Sequence, residues 1–521
     1  MADRVRMSGA DAAWLQMDEP SNLMTVTAAL KLAKCPEPDA LEAAVVERLI
    51  ARQPSLRRRV VPARFPLSGA SWEDDPDFAV TRHLQVRRLP APGGDEGLAA
   101  LAGDVISRPL PQTRPPWRLV LARDDDGSGA LLLCAHQCLV DSAGAARLLL
   151  SLTDSPPGDA RAEAHAAESG ALTRLMSAPS ETATVLRGIL GPVKRAALSA
   201  PVSMSDARWA AHALGTTVSG ALLTAVTGAL RVYLEDRGSL VESVGAFIQV
   251  DLRPLGATTS TGNRFGLCHV TLPVGRIGPR ERVDALRAQG FAPEAEPPTI
   301  TDFALLTAMG RMPAAFDRLL MSFFGARATA ALVEHSGGPD ALTLCSENVT
   351  AAALWPPRAG GLGLGLGLLQ LAGEVRLSVV TDASLVPDPQ VIAAGFVDAF
   401  ETLMVLAPAG VALEPEDEPT VELPAAELAD YDLLDPEPEP EPDPEPPRSE
   451  DIRCAGTTKA GKPCRSRPLK GSTWCRSHQP EAPAEPVDPE PWRCAALTKA
   501  GKRCKRRVKE GSTRCSAHSQ A

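Results

Sequence analysis

The sequence predicts an α/β chain in two halves, followed by a disordered acidic, proline-rich linker and two small zinc modules. Three observations carry this reading. Strand-like apolar runs alternate with stretches of helical periodicity over residues 5 to about 410. The composition turns to Pro and Glu from Pro415 onward, and a Cys/His pattern repeats near the C-terminus.

The chain has 521 residues, 44% of them apolar, enough for two substantial cores. Its 48 Pro and 41 Gly point to segments that do not pack. The net charge of −10 is uneven, with acid and base segregated toward the C-terminus. Met1 to Asp18 lacks a basic stretch followed by an apolar one, so no secretory signal is expected. No run of about 18 apolar residues occurs, so no transmembrane segment is expected. These features suit a cytoplasmic protein. Cys35, Cys134, Cys138, Cys268 and Cys345 are scattered, mostly in apolar contexts, and read as buried inert thiols.

Taken in order, strands are expected at Met24–Ala29, Arg118–Ala122, Gly129–Cys134, Val244–Val250 and Val375–Val380. Helices are expected at Pro38–Arg52, Ala145–Leu152, Val218–Leu234 and Pro389–Leu406. Ser155–Thr184, rich in Ala, Ser, Glu and Pro, reads as the connection between halves. The first lobe is thus 5–180 and the second 181–410. From 411 to 451 runs a spacer culminating in the Asp435–Pro447 run of alternating acid and proline. Proline favours extended polyproline II and the carboxylates repel, so the spacer is semi-rigid.

The most informative stretch is Cys134-Ala135-His136-Gln137-Cys138-Leu139-Val140-Asp141-Ser142. An apolar strand delivers a His and an Asp onto a loop, and a helix follows. Gln137 accepts a hydrogen bond but takes no proton near neutrality. Successive side chains of extended chain point to opposite faces, so His136 and Gln137 are expected to face apart.

This stretch resembles the His-His-x-x-x-Asp-Gly motif of the wax ester synthase/diacylglycerol acyltransferase family. Aligned on Leu139-Val140-Asp141, Gln137 stands at the second His, the family's general base, and Ser142 at the Gly. Further resemblances follow in order along the chain: Met7–Leu15, Pro115-Pro116-Trp117, Asp251-Leu252-Arg253-Pro254 with Gly262-Asn263-Arg264-Phe265-Gly266, and Thr381-Asp382. They imply the two-lobed CoA-dependent acyltransferase fold, with acyl-CoA as co-substrate and a long-chain alcohol or diacylglycerol as acceptor. The implied activity is triacylglycerol or wax ester synthesis, peripheral to a membrane or lipid droplets. The resemblance also makes Asp141 a structural residue, with Arg253 as its expected partner. Beside Gln137 and Ser142, two further departures are read: Ser219-Gly220 at the family's Asn-Asp pair, and Asn348–Ala352 at its Asn-Val-Pro-Gly-Pro loop. Catalysis is therefore expected to be weakened, leaving open a non-catalytic acyl-CoA- or lipid-binding protein.

Near the C-terminus, Cys454, Cys464, Cys475 and His478 recur forty residues on as Cys494, Cys504, Cys515 and His518. Three thiolates and an imidazole fill a tetrahedral structural zinc site, so two zinc ions are expected, in modules 452–478 and 492–519. Disulfides are the alternative, opposed by three Cys per module in a cytoplasmic chain. A Pro-rich linker, 479–491, separates the modules. Their spacing is similar to the Cys3His motif of plant WRC domains. With seven Lys/Arg from Arg453 to Arg476 and nine from Arg493 to Arg514, the modules suit a nucleic-acid or protein partner, or a membrane headgroup.

Overall fold

A computed structural model describes residues 4–62, 69–155, 182–253, 261–293, 300–301, 328, 330–335, 341–358 and 361–406. The linker and all eight predicted zinc ligands lie outside the described residues, as does most of the connection Ser155–Thr184.

Chain order opens with β1 (Arg4–Arg6), α1 (Gly9–Gln16), β2 (Thr25–Leu32), α2 (Pro38–Ala44), β3 (Arg58–Val61) and β4 (Ser71–Asp74). It continues through β5 (Leu84–Arg88), α3 (Gly94–Ile106), β6 (Trp117–Arg123), β7 (Gly129–His136) and α4 (Ser142–Leu150). The second half contributes β8 (Lys194–Leu198), β9 (Val202–Ser203), α5 (Met204–Leu214), α6 (Val218–Asp236), β10 (Val244–Asp251), β11 (Phe265–Leu272), α7 (Pro279–Leu286) and β12 (Ile300–Thr301). Then follow β13 (Ala330–His335), β14 (Leu342–Leu344), β15 (Glu347–Trp355), β16 (Leu364–Leu371), β17 (Glu374–Asp382) and α8 (Pro389–Leu406).

Two mixed sheets form the α/β scaffold. One has the order β14-β15-β2-β7-β6-β5, the other β12-β11-β10-β13-β16-β17-β8. β7 is buried along its whole length because both of its faces are covered. Leu131, Leu133 and Ala135 join one core with Val26, Ala28 and Leu30 of β2. Ala130, Leu132 and Cys134 meet Leu98, Leu101, Ala102 and Val105 of α3 on the other side. A strand covered on both faces reads as a continuous apolar run rather than an alternating one, as this one does.

Several sequence expectations are refined. β7 continues through His136, so that residue ends a strand rather than opening the loop. The helix after the motif starts at Ser142, directly on Asp141. In the span Pro38–Arg52 only Pro38–Ala44 is α-helical, and Val45–Ile50 widens into a π-type turn. Asn348–Ala352 is not a loop at all: it lies inside β15, antiparallel to β2. The departure read there thus lies on a strand. β14 and β15, from the second half of the chain, complete the sheet of the first half.

α8 is long and apolar enough by composition to cross a membrane. Here Ile392, Ala393, Phe396, Phe400 and Leu403 are buried in the core that α6 also lines, so it acts as a core helix. Cys35, Cys134, Cys138 and Cys268 are buried free thiols, while Cys345 is half-buried.

Candidate active site

The stretch from His136 to Ser142 runs from the end of β7 to the start of α4. Asp141 is the N-cap of α4: its Oδ1 accepts from the Gly144 amide at 2.8 Å, satisfying one of the helix's free donors. The rest of its carboxylate is committed to the second half of the chain. Arg253 Nη1 donates to Oδ1 at 2.9 Å, Nη2 lies 2.8 Å from Oδ2, and the Arg264 amide donates to Oδ2 at 2.8 Å. Arg253 also bonds Asp251 Oδ1 and the Gly262 carbonyl. Burial would lower the Arg253 pKa, but the carboxylates of Asp141 and Asp251 outweigh it and hold the guanidinium firmly charged. Residues 139–141 are thus clamped by 251–253 and 262–264, reinforced by the Gly262 amide donating to Leu139 O at 2.7 Å.

His136 and Gln137 go to different partners. Nδ1 of His136 accepts from the Cys138 amide at 3.0 Å, which places the ring proton on Nε2, 3.4 Å from Asp18 Oδ1. Burial pushes Asp18 up, but its contacts with His136 and the Met24 amide outweigh this and hold it below the usual carboxylate value. One ring nitrogen of His136 is thus bonded to the main chain and the other faces a carboxylate.

Gln137 is fully buried. Its Nε2 donates to Asn263 Oδ1 at 3.2 Å, whereas Oε1 has no hydrogen-bond partner. Asn263 Nδ2 in turn donates to the Gln137 carbonyl and to Asp11 Oδ1, both at 2.7 Å. Asp11, on α1, is pushed up to about 6 chiefly by burial, opposed by its hydrogen bonds from Asn263 and Ser8. An amide and a carboxylate bridged by an asparagine therefore occupy the centre of the site. Sequence reading quoted Asp11 and Asn263 inside motifs without assigning them to it. No local signal does so, because 252 residues separate the pair.

Ser142 is buried and its Oγ unpaired, so the side chain at the family's glycine position points at nothing polar. Ser219 and Gly220 lie in the first turn of α6, capped by Thr217, whose Oγ1 accepts from the Gly220 amide at 3.0 Å. A Cβ at Gly220 would lie 2.2 Å from Thr216 Oγ1 and 3.1 Å from Phe291 Cβ, so the position is closed to a larger residue. Among the described residues no group of three His, Cys, Asp or Glu side chains is placed to hold a metal.

The wax ester synthase/diacylglycerol acyltransferase catalytic domain matches residues 7–236, and the C-terminal domain of the same family matches 261–404. This chain belongs to the wax ester synthase/diacylglycerol acyltransferase family. It is 24% identical over 444 residues to a probable diacylglycerol O-acyltransferase of Mycobacterium tuberculosis, covering 76% of this chain and 95% of that protein. The wax ester synthase/diacylglycerol acyltransferase of Marinobacter aquaeolei has the same fold, with TM-score 0.57 and 18% identity over 77% of this chain and 99% of that one. A trichothecene 15-O-acetyltransferase from Fusarium sporotrichioides shares it more distantly, at TM-score 0.52 and 12% identity over 77% and 94% of the two chains. The scaffold is that of a wax ester synthase/diacylglycerol acyltransferase-type acyl-CoA acyltransferase.

Proposed function

We propose that this family member binds acyl-CoA and transfers the acyl group to a long-chain alcohol or diacylglycerol at a much reduced rate. In such a transfer the acceptor oxygen attacks the thioester carbonyl. Its proton passes to a base, the C–S bond breaks, and the CoA thiolate leaves and is protonated. A positioned base typically contributes about 10²–10⁴-fold. The observation that carries the reading is Gln137: at the family's base position its amide nitrogen is spent on Asn263, and it has no lone pair that takes a proton. The residual rate rests on binding and orientation.

The test is purified full-length protein with radiolabelled acyl-CoA and mixed acceptors, wild type beside Gln137→His. Wild type is expected near background, with Gln137→His faster by about tenfold or more. Wild-type turnover that collapses on His136→Ala would place the base on His136 and overturn the reading.

A second reading is a non-catalytic acyl-CoA- or lipid-binding protein docked through zinc modules 452–478 and 492–519. Their Lys/Arg density favours it, with a nucleic acid or an acidic protein as partner. Both readings place the protein in the cytoplasm, peripheral to a membrane or lipid droplet. In both, lobes 5–180 and 181–410 share the work, with 342–355 completing the first lobe's sheet.

A further inference from the structure

Away from Gln137, the structure buries a charged group that the transfer chemistry does not use. Arg358 follows β15 and is 2% exposed, yet its Nε and Nη1 have no hydrogen-bond partner. Leaving a guanidinium dry and unpaired is strongly destabilising, so such a group calls for an anion. The carboxylate whose charge acts on it, Asp382, is already committed. Its Oδ2 accepts from Lys194 Nζ at 2.5 Å and the Gly191 amide at 2.9 Å, and its Oδ1 takes the amide and hydroxyl of Ser384. Lys194 and Arg358 thus face one carboxylate, a buried excess of one positive charge. The strain registers on both cations: burial, with Arg358 beside it, pulls Lys194 down to about 8, and burial pulls Arg358 down to about 10.

Asn22 stands next to it. Its Nδ2 donates to the Arg358 carbonyl, while its Oδ1 is buried with no partner. On the apolar side, Val380 and the stem of Arg358 both lie against Gly365. Sheet register locates the cluster. β2 lies between β15 and β7, pairing Thr27 with Trp355 and Thr25 with His136, so Arg358 leaves the sheet at the same edge as Gln137. Two strand spacings, roughly 10 Å, separate the strands β15 and β7 from which they leave.

We infer that Arg358 and Asn22 form a socket for the anionic head group of a single-chain lipid, an oxyanion held by Arg358 with a neighbouring hydroxyl donating to Asn22. A phosphoglycerol head group supplies both; a fatty-acid carboxylate supplies the oxyanion alone. Arg presents a donor fork matched to either oxyanion. The spacing points to the acyl acceptor rather than the donor, because the pantetheine arm, when extended, carries the CoA phosphates farther than this from the thioester. The assignment to the acceptor rests on the acyl-transfer reading; the binding itself does not, and is measured without turnover.

Isothermal titration of the full-length protein with 1-oleoylglycerol 3-phosphate, oleate, 1-oleoylglycerol and desulfo-CoA tests this. The phosphate lipid is expected to bind about tenfold or more tightly than the neutral glyceride, with oleate between them. Arg358→Met should abolish that preference while leaving the neutral glyceride unchanged, and Arg358→Lys should keep part of it. Removing an unpaired buried charge should leave the Met variant melting no lower than wild type. Equal binding of the three lipids by wild type would by itself overturn the proposal. So would a preference that survives Arg358→Met, or desulfo-CoA binding that depends on Arg358.

Discussion

Arg253 and Asp141 form a two-pronged ion pair, Nη1 to Oδ1 at 2.9 Å and Nη2 to Oδ2 at 2.8 Å, with side chains only 2% and 1% exposed. The pair joins a residue of the α4 cap to the strand end of β10, so it ties the two halves together at the altered motif. Asp141→Ala removes the cap and leaves the guanidinium with Asp251 and the Gly262 carbonyl. The expected cost is about 3–5 kcal/mol. Thermal or denaturant unfolding checks it, and an unchanged melting temperature would remove the bracing role.

Asp11 makes a prediction in pH. Its folded pKa of about 6 lies above the ordinary 3.8, so the native state holds a proton that the unfolded chain has lost between those values. The stabilising contribution is complete below about 4 and is lost as pH rises through about 6. Asp11→Asn keeps an oxygen for Asn263 but carries no charge. The variant should gain on wild type by up to about 3 kcal/mol between pH 4 and 7. A stability difference that stays flat across that range would show that burial does not perturb this carboxyl.

Gly220 tests whether the Asp that the resemblance implies can be accommodated here. Gly220→Asp would drive a Cβ against Thr216 and Phe291 at the start of α6. Overpacking of this kind costs about 1–3 kcal/mol. The reversion is expected to lower the melting temperature without raising transfer, whereas Gln137→His raises transfer with the fold intact. A stable Gly220→Asp variant would show that this turn repacks freely.

The repeated Cys3His sets predict two zinc ions per chain. Each set holds the four ligands that one tetrahedral site needs. Metal analysis of full-length protein should give two zincs, and Cys475→Ser should halve that number. One zinc requiring cysteines from both repeats would overturn the two-module reading.

The sequence by itself determined the family, the order of the main strands and helices, and the amide at Gln137 on which the proposed loss of the base rests. Each of these is written in local pattern: the unbroken apolar run of β7, the 3.6-residue periodicity of α6 and α8, and a single amide at Gln137. It also named Arg253 as the partner of Asp141, through motifs that the resemblance linked. Only the tertiary structure decided what surrounds them. Asn348–Ala352 looked like a loop until β15 was seen paired with β2, because strand identity there depends on a partner more than 300 residues away. His136 faces Asp18, and Gln137 heads a chain through Asn263 to Asp11, only because long-range packing set their partners. The unpaired charge of Arg358 has no local signature either, because it is burial by distant parts of the chain that makes its charge costly.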